Sequence, residues 1–242
     1  MISGYMQIAP SDVTQVSTTK NGLLLGAKAI ARDGTIYRWT QNGAVALADG
    51  VTVAAVARVA NHTNLVVAAN AAIGATKVTV TLGGTAATAD QYIDGTLVTN
   101  DGTGAGQDLL ITGNSAQTST TGNVDVYLAE PLTVAITAAS TKATLQPAQN
   151  SAVVIAPAAA TSVVVGTTPV GVAAASYFWA QTRGMASVLA DGITAKNVGV
   201  IASPTVAGAV VTEAAGTITQ RLGYAPDATV DAKYYPIFLT ID

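Results

Sequence analysis

Hydrophobic and polar residues alternate along this chain in short runs with the period of a pleated strand. Val78, Val80 and Leu82 alternate with Lys77, Thr79 and Thr81, and Val124, Val126 and Leu128 alternate with Asp125 and Tyr127. A period of two gives each segment one dry face and one wet face. Near residue 242, Tyr235, Ile237, Leu239 and Ile241 share one face of a predicted last strand, and Pro236 marks a sheet edge or a strand start. Further strands are predicted at Ile36–Trp39, Val51–Val59, Tyr92–Thr99, Leu109–Thr112, Val198–Ala202, Ala209–Val211 and Leu222–Ala225. Turn signals separate them: Arg32–Thr35, Gly83-Gly84, Asn100–Gln107, Gly113-Asn114, Ser203-Pro204 to Gly208, and Asp227–Asp231. Leu23–Ile30 suits either a buried strand or half a helix. Residues 1–20 have little pattern and are expected to form an extended arm, ordered on a partner.

One pattern occurs twice. Tyr37-Arg38-Trp39-Thr40-Gln41 is followed by Gly43 and then Leu47-Ala48-Asp49-Gly50. Tyr177-Phe178-Trp179-Ala180-Gln181 is followed by Gly184 and then Leu189-Ala190-Asp191-Gly192, with one extra residue between Gln and Gly. Each copy reads as strand, Asp-Gly turn and strand. Two copies are too few for a solenoid, so the pattern is read as a duplication. The expected fold is all-β: short antiparallel strands forming two related barrel or sandwich units that flank a middle β segment. The expected segments are an arm at 1–20, a first unit at 21–63, a middle domain at 64–150 and a C-terminal domain at 151–242.

Composition supports β structure. Charged residues are 10% of the chain, against roughly 25% in ordinary soluble domains, and glutamate occurs only at Glu130 and Glu213. The Glu, Lys, Arg and Leu that helical domains use are scarce. So few charges favour a surface that meets copies of itself or a partner, since soluble monomers keep apart by mixed charge. A net charge of −3, with basic residues scattered singly, offers no footprint for nucleic acid. The segment Ala143–Thr182 carries no charge, but Pro157, Gly166 and Pro169 interrupt its apolar pieces well below a span's length of about 18 residues, so no membrane partner is expected. Met1–Tyr5 has neither the basic nor the apolar region of a signal peptide. The chain has no cysteine, which removes disulfides and thiolate chemistry.

Candidate chemistry is sparse. His62, the one histidine, lies in Asn61-His62-Thr63-Asn64 and reads as a surface turn, with no nucleophile motif to serve. One histidine and no cysteine exclude the usual zinc sites. The loop Asn100–Asp108 has the spacing G-x-G-x-G and leads into a strand, unlike a dinucleotide fingerprint. Asp94, Asp101 and Asp108 offer oxygens for calcium, but in neither an EF-hand nor a β-roll spacing, and the loop reads as a glycine-rich connection. Glu130 and Glu213 single out no acid pair. No catalytic, cofactor-binding or metal residue is therefore assigned, no cofactor is expected, and an enzyme is not expected.

Residues 85–242 nevertheless resemble a family of tailed-bacteriophage virion proteins. The segments that carry the resemblance are Gly95–Gln107, Ile111–Asn114, Leu128–Leu132, Tyr177–Gln181, Val188–Gly192, Ala207–Val210, Gly223–Ala225 and Ile237–Ile241. The second half is similar in style to capsid cement proteins, which decorate phage heads. The resemblance implies a non-enzymatic decoration protein on the head surface of the virion. Its implied partners are the major capsid protein and itself, as a homotrimer. A tail or fibre component for host attachment is the alternative, and a bacterial surface-layer or adhesin domain is a third.

Overall fold

The computed structural model describes residues 6–159, 161–193, 195–216 and 219–242. These are all-β, as expected. Their strands are β1 (Met6–Gln7), β2 (Lys28–Ile30), β3 (Ile36–Gln41), β4 (Thr52–Ala54), β5 (Leu65–Val67), β6 (Lys77–Thr81), β7 (Thr96–Asp101), β8 (Asp108–Asn114) and β9 (Asn123–Leu128). They continue with β10 (Lys142–Gln146), β11 (Val154–Ile155), β12 (Val164–Thr167), β13 (Tyr177–Ala190), β14 (Val198–Ala202), β15 (Val210–Thr212), β16 (Arg221–Ala225) and β17 (Lys233–Thr240). Among the described residues one 3-10 turn, Ala60–His62, precedes β5. The chain divides into two compact units, one made of Met1–Ala57 with Gln149–Asp242 and the other of Arg58–Ala148.

The second unit, Arg58–Ala148, overlaps the segment expected as a middle domain at 64–150, whereas the flanking segments 21–63 and 151–242 fall mostly in one unit, the first. The second unit is a closed antiparallel barrel in the order β10–β5–β6–β9–β8–β7. The alternation seen in the sequence is its inside and outside: Val78, Val80, Val124, Val126, Leu97, Ile111 and Leu145 fill the interior. The β6–β9 ladder runs from Lys77↔Tyr127 to Thr81↔Asn123 without a slip. The Gly-rich β7–β8 loop passes close to the backbone that precedes β10. A Cβ on Gly102 would lie 2.1 Å from the Ser140 carbonyl, and its φ of +77 suits glycine.

The first unit is built around β13. Its first half pairs with β3 and its second half with β17. A second ring closes here, because β13, β15, β14, β16 and β17 are neighbours in turn and β17 returns to β13. Ala186, Val188, Val200, Val210, Leu222, Ile237 and Leu239 fill that ring. Beside it, Leu47, Val53, Val153, Val165, Val172 and Phe178 form another cluster beneath β4 and β12.

The two Tyr-x-Trp-x-Gln segments do not sit in separate units. They are β3 and the start of β13, and they pair with each other: Tyr37↔Gln181, Trp39↔Trp179 and Gln41↔Tyr177. An antiparallel ladder of two like strands sets like beside like at its centre and exchanges the ends, so the motif is complementary to its own copy. The Trp rings lie 5.0 Å apart and tilted by 56°, and Tyr177 stacks on Trp39 at 6.0 Å. Gln41 Nε2 donates to the Tyr177 hydroxyl at 3.2 Å. The extra residue between Gln and Gly in the second copy falls at a break in this ladder. Register shifts between Gln181 and Arg183, which leaves Thr182 as a bulge at the point where β13 passes from β3 to β17.

The expected free arm is also revised. Over its described residues, 6–20, it lies on this tryptophan cluster, and residues 1–5 fall outside the described part. β1 pairs in parallel with β2, Ile8 is buried, and Ser17 bridges to Tyr177. The indole N–H of Trp39 donates to the Lys20 carbonyl at 3.0 Å. Apolar Ile8 in contact with Trp and Tyr satisfies the cluster that a free arm leaves open.

Two outcomes are expected from this arrangement. Trp179→Ala costs about 3–5 kcal/mol and Ile8→Ala about 2–5 kcal/mol, both seen as a lower denaturant midpoint. Deleting residues 1–20 lowers the midpoint too; an unchanged midpoint in the deletion would place the arm outside the folded core.

Candidate interaction surface

The last strand's alternation decides which side chains leave the second ring. Ile237 and Leu239 point in, so Pro236 and Phe238 point out. Register then sets Met185 of β13 opposite Phe238, and Phe238 opposite Tyr224 of β16. Tyr224 and Phe238 stack with centroids 5.0 Å apart and planes 19° from parallel. Met185 is 52% exposed and Tyr224 42%. Tyr224 is opposite Gly199 of β14, where the Glu213–Arg221 ion pair takes the place of a side chain: a Cβ there would lie 2.5 Å from Glu213 Oε2. Tyr234, 49% exposed, stands next along β17 and rests its ring on Gly50 of the first Leu-Ala-Asp-Gly turn. Gly50 has φ +66, the positive value that the Asp-Gly motif predicts. The result is a row of aromatic, methionine and proline side chains across adjacent strands, ending at an ion pair. Aromatic residues, Met and Arg are the types enriched in protein–protein contacts.

Two recesses lie elsewhere in the first unit. An apolar groove of about 660 Å³ is lined by Ala156, Pro157, Val163, Ile201 and Val211, among others. Gln220 stands at its rim and hydrogen-bonds both backbone groups of Val164, accepting from N and donating to O at 2.8 Å each. Its amide thereby acts as a one-residue partner strand for the end of β12, which pairs with β13 only at Thr167↔Gln181. A polar recess of about 310 Å³ has Arg38 and Asp242 in its wall. Arg38 grips that carboxylate with two bonds, Nε to Oδ2 at 2.8 Å and Nη2 to Oδ1 at 2.7 Å, and donates Nη1 to the Gly26 carbonyl at 2.8 Å. The Arg38 bonds hold the Asp242 carboxyl below its ordinary range against the opposing effect of burial, and the charges of Arg38 and Lys28 add to them.

Several residues with candidate chemistry are held in structural contacts. His62 is buried, not a surface-turn residue. Its Nε2 faces the Thr85 carbonyl at 2.8 Å and its Nδ1 meets the Tyr92 hydroxyl. A carbonyl only accepts, so Nε2 carries the proton and Nδ1 accepts from Tyr92; the tautomer is assigned from this network. Burial pushes the Tyr92 phenol up to about 12, so it stays a donor. In the glycine-rich loop, Asp101 Oδ1 accepts from the Gly102 N–H at 2.8 Å, and the Gln107 amide ties the loop to Thr133 and Val134. Asp94, Asp101 and Asp108 do not converge, and among the described residues no group of three potential ligands does. Glu130 is exposed, and Glu213 is paired with Arg221.

Asp191 accepts from Ser203 Oγ and from Thr205 Oγ1, and chiefly the Ser203 bond pulls its carboxyl below the usual range. A carboxylate so stabilised is a weak base. Ser203 Oγ already accepts the Thr205 and Val206 N–H groups at 3.1 and 2.9 Å, so the contact closes a turn. The sequence marked Asp191 only as part of an Asp-Gly turn, and nothing in it marked Gln220 or brought Met185 and Tyr224 beside Phe238.

Comparison with family models, with curated proteins and with solved structures finds no match for this chain. No helix among the described residues is long and apolar enough to cross a membrane.

Two measurements follow from these sites. Tyr92→Phe leaves His62 Nδ1 without its donor in a buried place and costs about 1–3 kcal/mol. For Asp242, a folded pKa below the unfolded one gives stability that is complete above the unfolded value of about 3.9 and lost as pH falls through the lower folded value. Urea midpoints of the parent therefore drop on acidification through this range, and Asp242→Asn shows a shallower drop; equal slopes would mean that the pair adds nothing.

Proposed function

We propose that this protein is a non-enzymatic cement of a tailed-phage capsid, attached to the outer face of the head by contact with the major capsid protein and with copies of itself. The observation that carries the reading is the outward row of Met185, Phe238, Tyr224 and Tyr234 on a chain with so few charges. Exposed aromatic and methionine side chains on a stiff, closed barrel bind a flat protein surface with little loss of conformational freedom. The resemblance of residues 85–242 to phage virion proteins supports the same reading. Many identical copies that bind the assembled shell, and not its parts, stabilise it by mass action. A trimer suits the three-fold positions of an icosahedral lattice, and sedimentation at micromolar protein or on reconstituted heads tests it.

Heads lacking the protein are expected to assemble but to break at lower temperature or lower salt than complete ones. Added protein restores resistance at a saturating stoichiometry. The double variant Met185→Lys, Tyr224→Lys stays folded, because both positions face outward, yet loses about thirtyfold in head affinity, the effect of one hot-spot contact. Deficient particles that are as robust as complete ones but do not attach to cells would replace this reading with a tail or fibre role.

A further inference from the structure

The sequence contains two Asn-Gly pairs, Asn21-Gly22 and Asn42-Gly43, and the fold treats them in opposite ways. Asn42 is 1% exposed. Its Nδ2 donates to the carbonyls of Val45 and Ala173 at 2.9 Å each, and the Gly43 N–H donates to Val153 at 2.9 Å. Asn21 is exposed, and among the described residues the Gly22 N–H donates to no other group. The turn they form, with φ of +56 and +70, is closed by one long bond of 3.3 Å from Leu23 N to Lys20 O. Nothing lies within 4 Å of a Cβ built on Gly22, so the space beside its Cα is open.

A third observation concerns the electrophile. Thr19 Oγ1 donates to Asn21 Oδ1 at 2.6 Å, with the Ser17 hydroxyl 3.4 Å from the same oxygen. A donor on that oxygen polarises the amide carbon and stabilises the negative charge that grows there during nucleophilic attack. At Asn42 the corresponding oxygen, Oδ1, is buried and has no donor.

We propose that Asn21 is a site of spontaneous deamidation. The Gly22 nitrogen, losing its proton to base, attacks Asn21 Cγ. The new N–Cγ bond forms, the Cγ–Nδ2 bond breaks, and ammonia leaves with a proton from solvent. Water then opens the resulting succinimide at one carbonyl or the other, giving aspartate or an isoaspartyl linkage. No electrons are exchanged, and water is the only co-reactant. Both products add a negative charge next to Lys20, and the isoaspartyl form adds a methylene to the backbone. The Lys20 carbonyl is the acceptor for the Trp39 indole. The change therefore acts on the hold between the arm and the tryptophan pair, and the site is a slow chemical switch on that docking.

The test is incubation of the folded full-length chain in mildly alkaline buffer, followed by peptide mapping with mass spectrometry and an isoaspartate-specific methyl-transfer assay. Conversion at Asn21 is expected to exceed that at Asn42 by about a hundredfold or more, because Asn42 reacts only after local unfolding. The rate should rise with hydroxide. In denaturant the two sites should converge, which separates the effect of the fold from that of the shared dipeptide. Thr19→Val, at an exposed position, should slow Asn21 several-fold without moving the melting temperature. Equal rates at both sites in the folded chain, or a folded-state rate at Asn21 far below the denatured one, would overturn the proposal.

Discussion

The cross-strand pairing of Trp39 with Trp179 is the contact on which the first unit depends. It joins β3 to a strand that lies beyond the whole inserted barrel, and loop closure of that length costs entropy that grows with the logarithm of the separation. The insert lessens that cost by its own topology. Its first and last strands, β5 and β10, are neighbours, paired at Leu65↔Ala143, so the folded barrel brings the two exits of the chain together. The arm and Ile8 then cover the ring pair on one side, and Phe178 and Ala180, which alternate with Trp179, enter the neighbouring cluster on the other.

Closure also explains how a chain with few charges manages its strand edges. Two rings remove most of them. The open ends of the remaining sheet path are β1 and β11, each of two residues, and short edges template little pairing. Where β12 parts from β13, the Gln220 amide fills the gap. Exposed apolar side chains are spread over the described residues, and Met185, Tyr224 and Tyr234 of the row through Phe238 are among them.

Much of the fold was legible because burial on one side of a sheet imposes a period of two. Val78, Val80, Val124 and Val126 line the barrel interior on the one dry face that their alternation predicted, a face that suited a sandwich as well as a barrel, and the Asp-Gly turns have the positive φ their residues require. His62 shows the limit. Four polar residues in a row look like a surface turn, and only the Tyr92 hydroxyl and the Thr85 carbonyl, contributed by a later segment, give a buried imidazole its two partners. The outward row through Phe238 was half legible. The pattern around Pro236 separates Phe238 from Ile237 and Leu239, but Met185 and Tyr224 join it through ladder register, which no local pattern encodes.

The repeated Tyr-x-Trp-x-Gln segment divides the two kinds of information. By itself the sequence determined that both copies are strands with a large aromatic on one face, because alternation and β-propensity are properties of neighbouring residues. It also carried the extra residue between Gln and Gly, which falls where the Thr182 bulge forms. Tertiary structure alone decided that the copies meet each other in one ladder and do not head two separate units. A pattern complementary to itself suits both arrangements equally. The choice falls to contacts between distant segments: the inserted barrel that brings its ends together, and the arm that seals the ring pair.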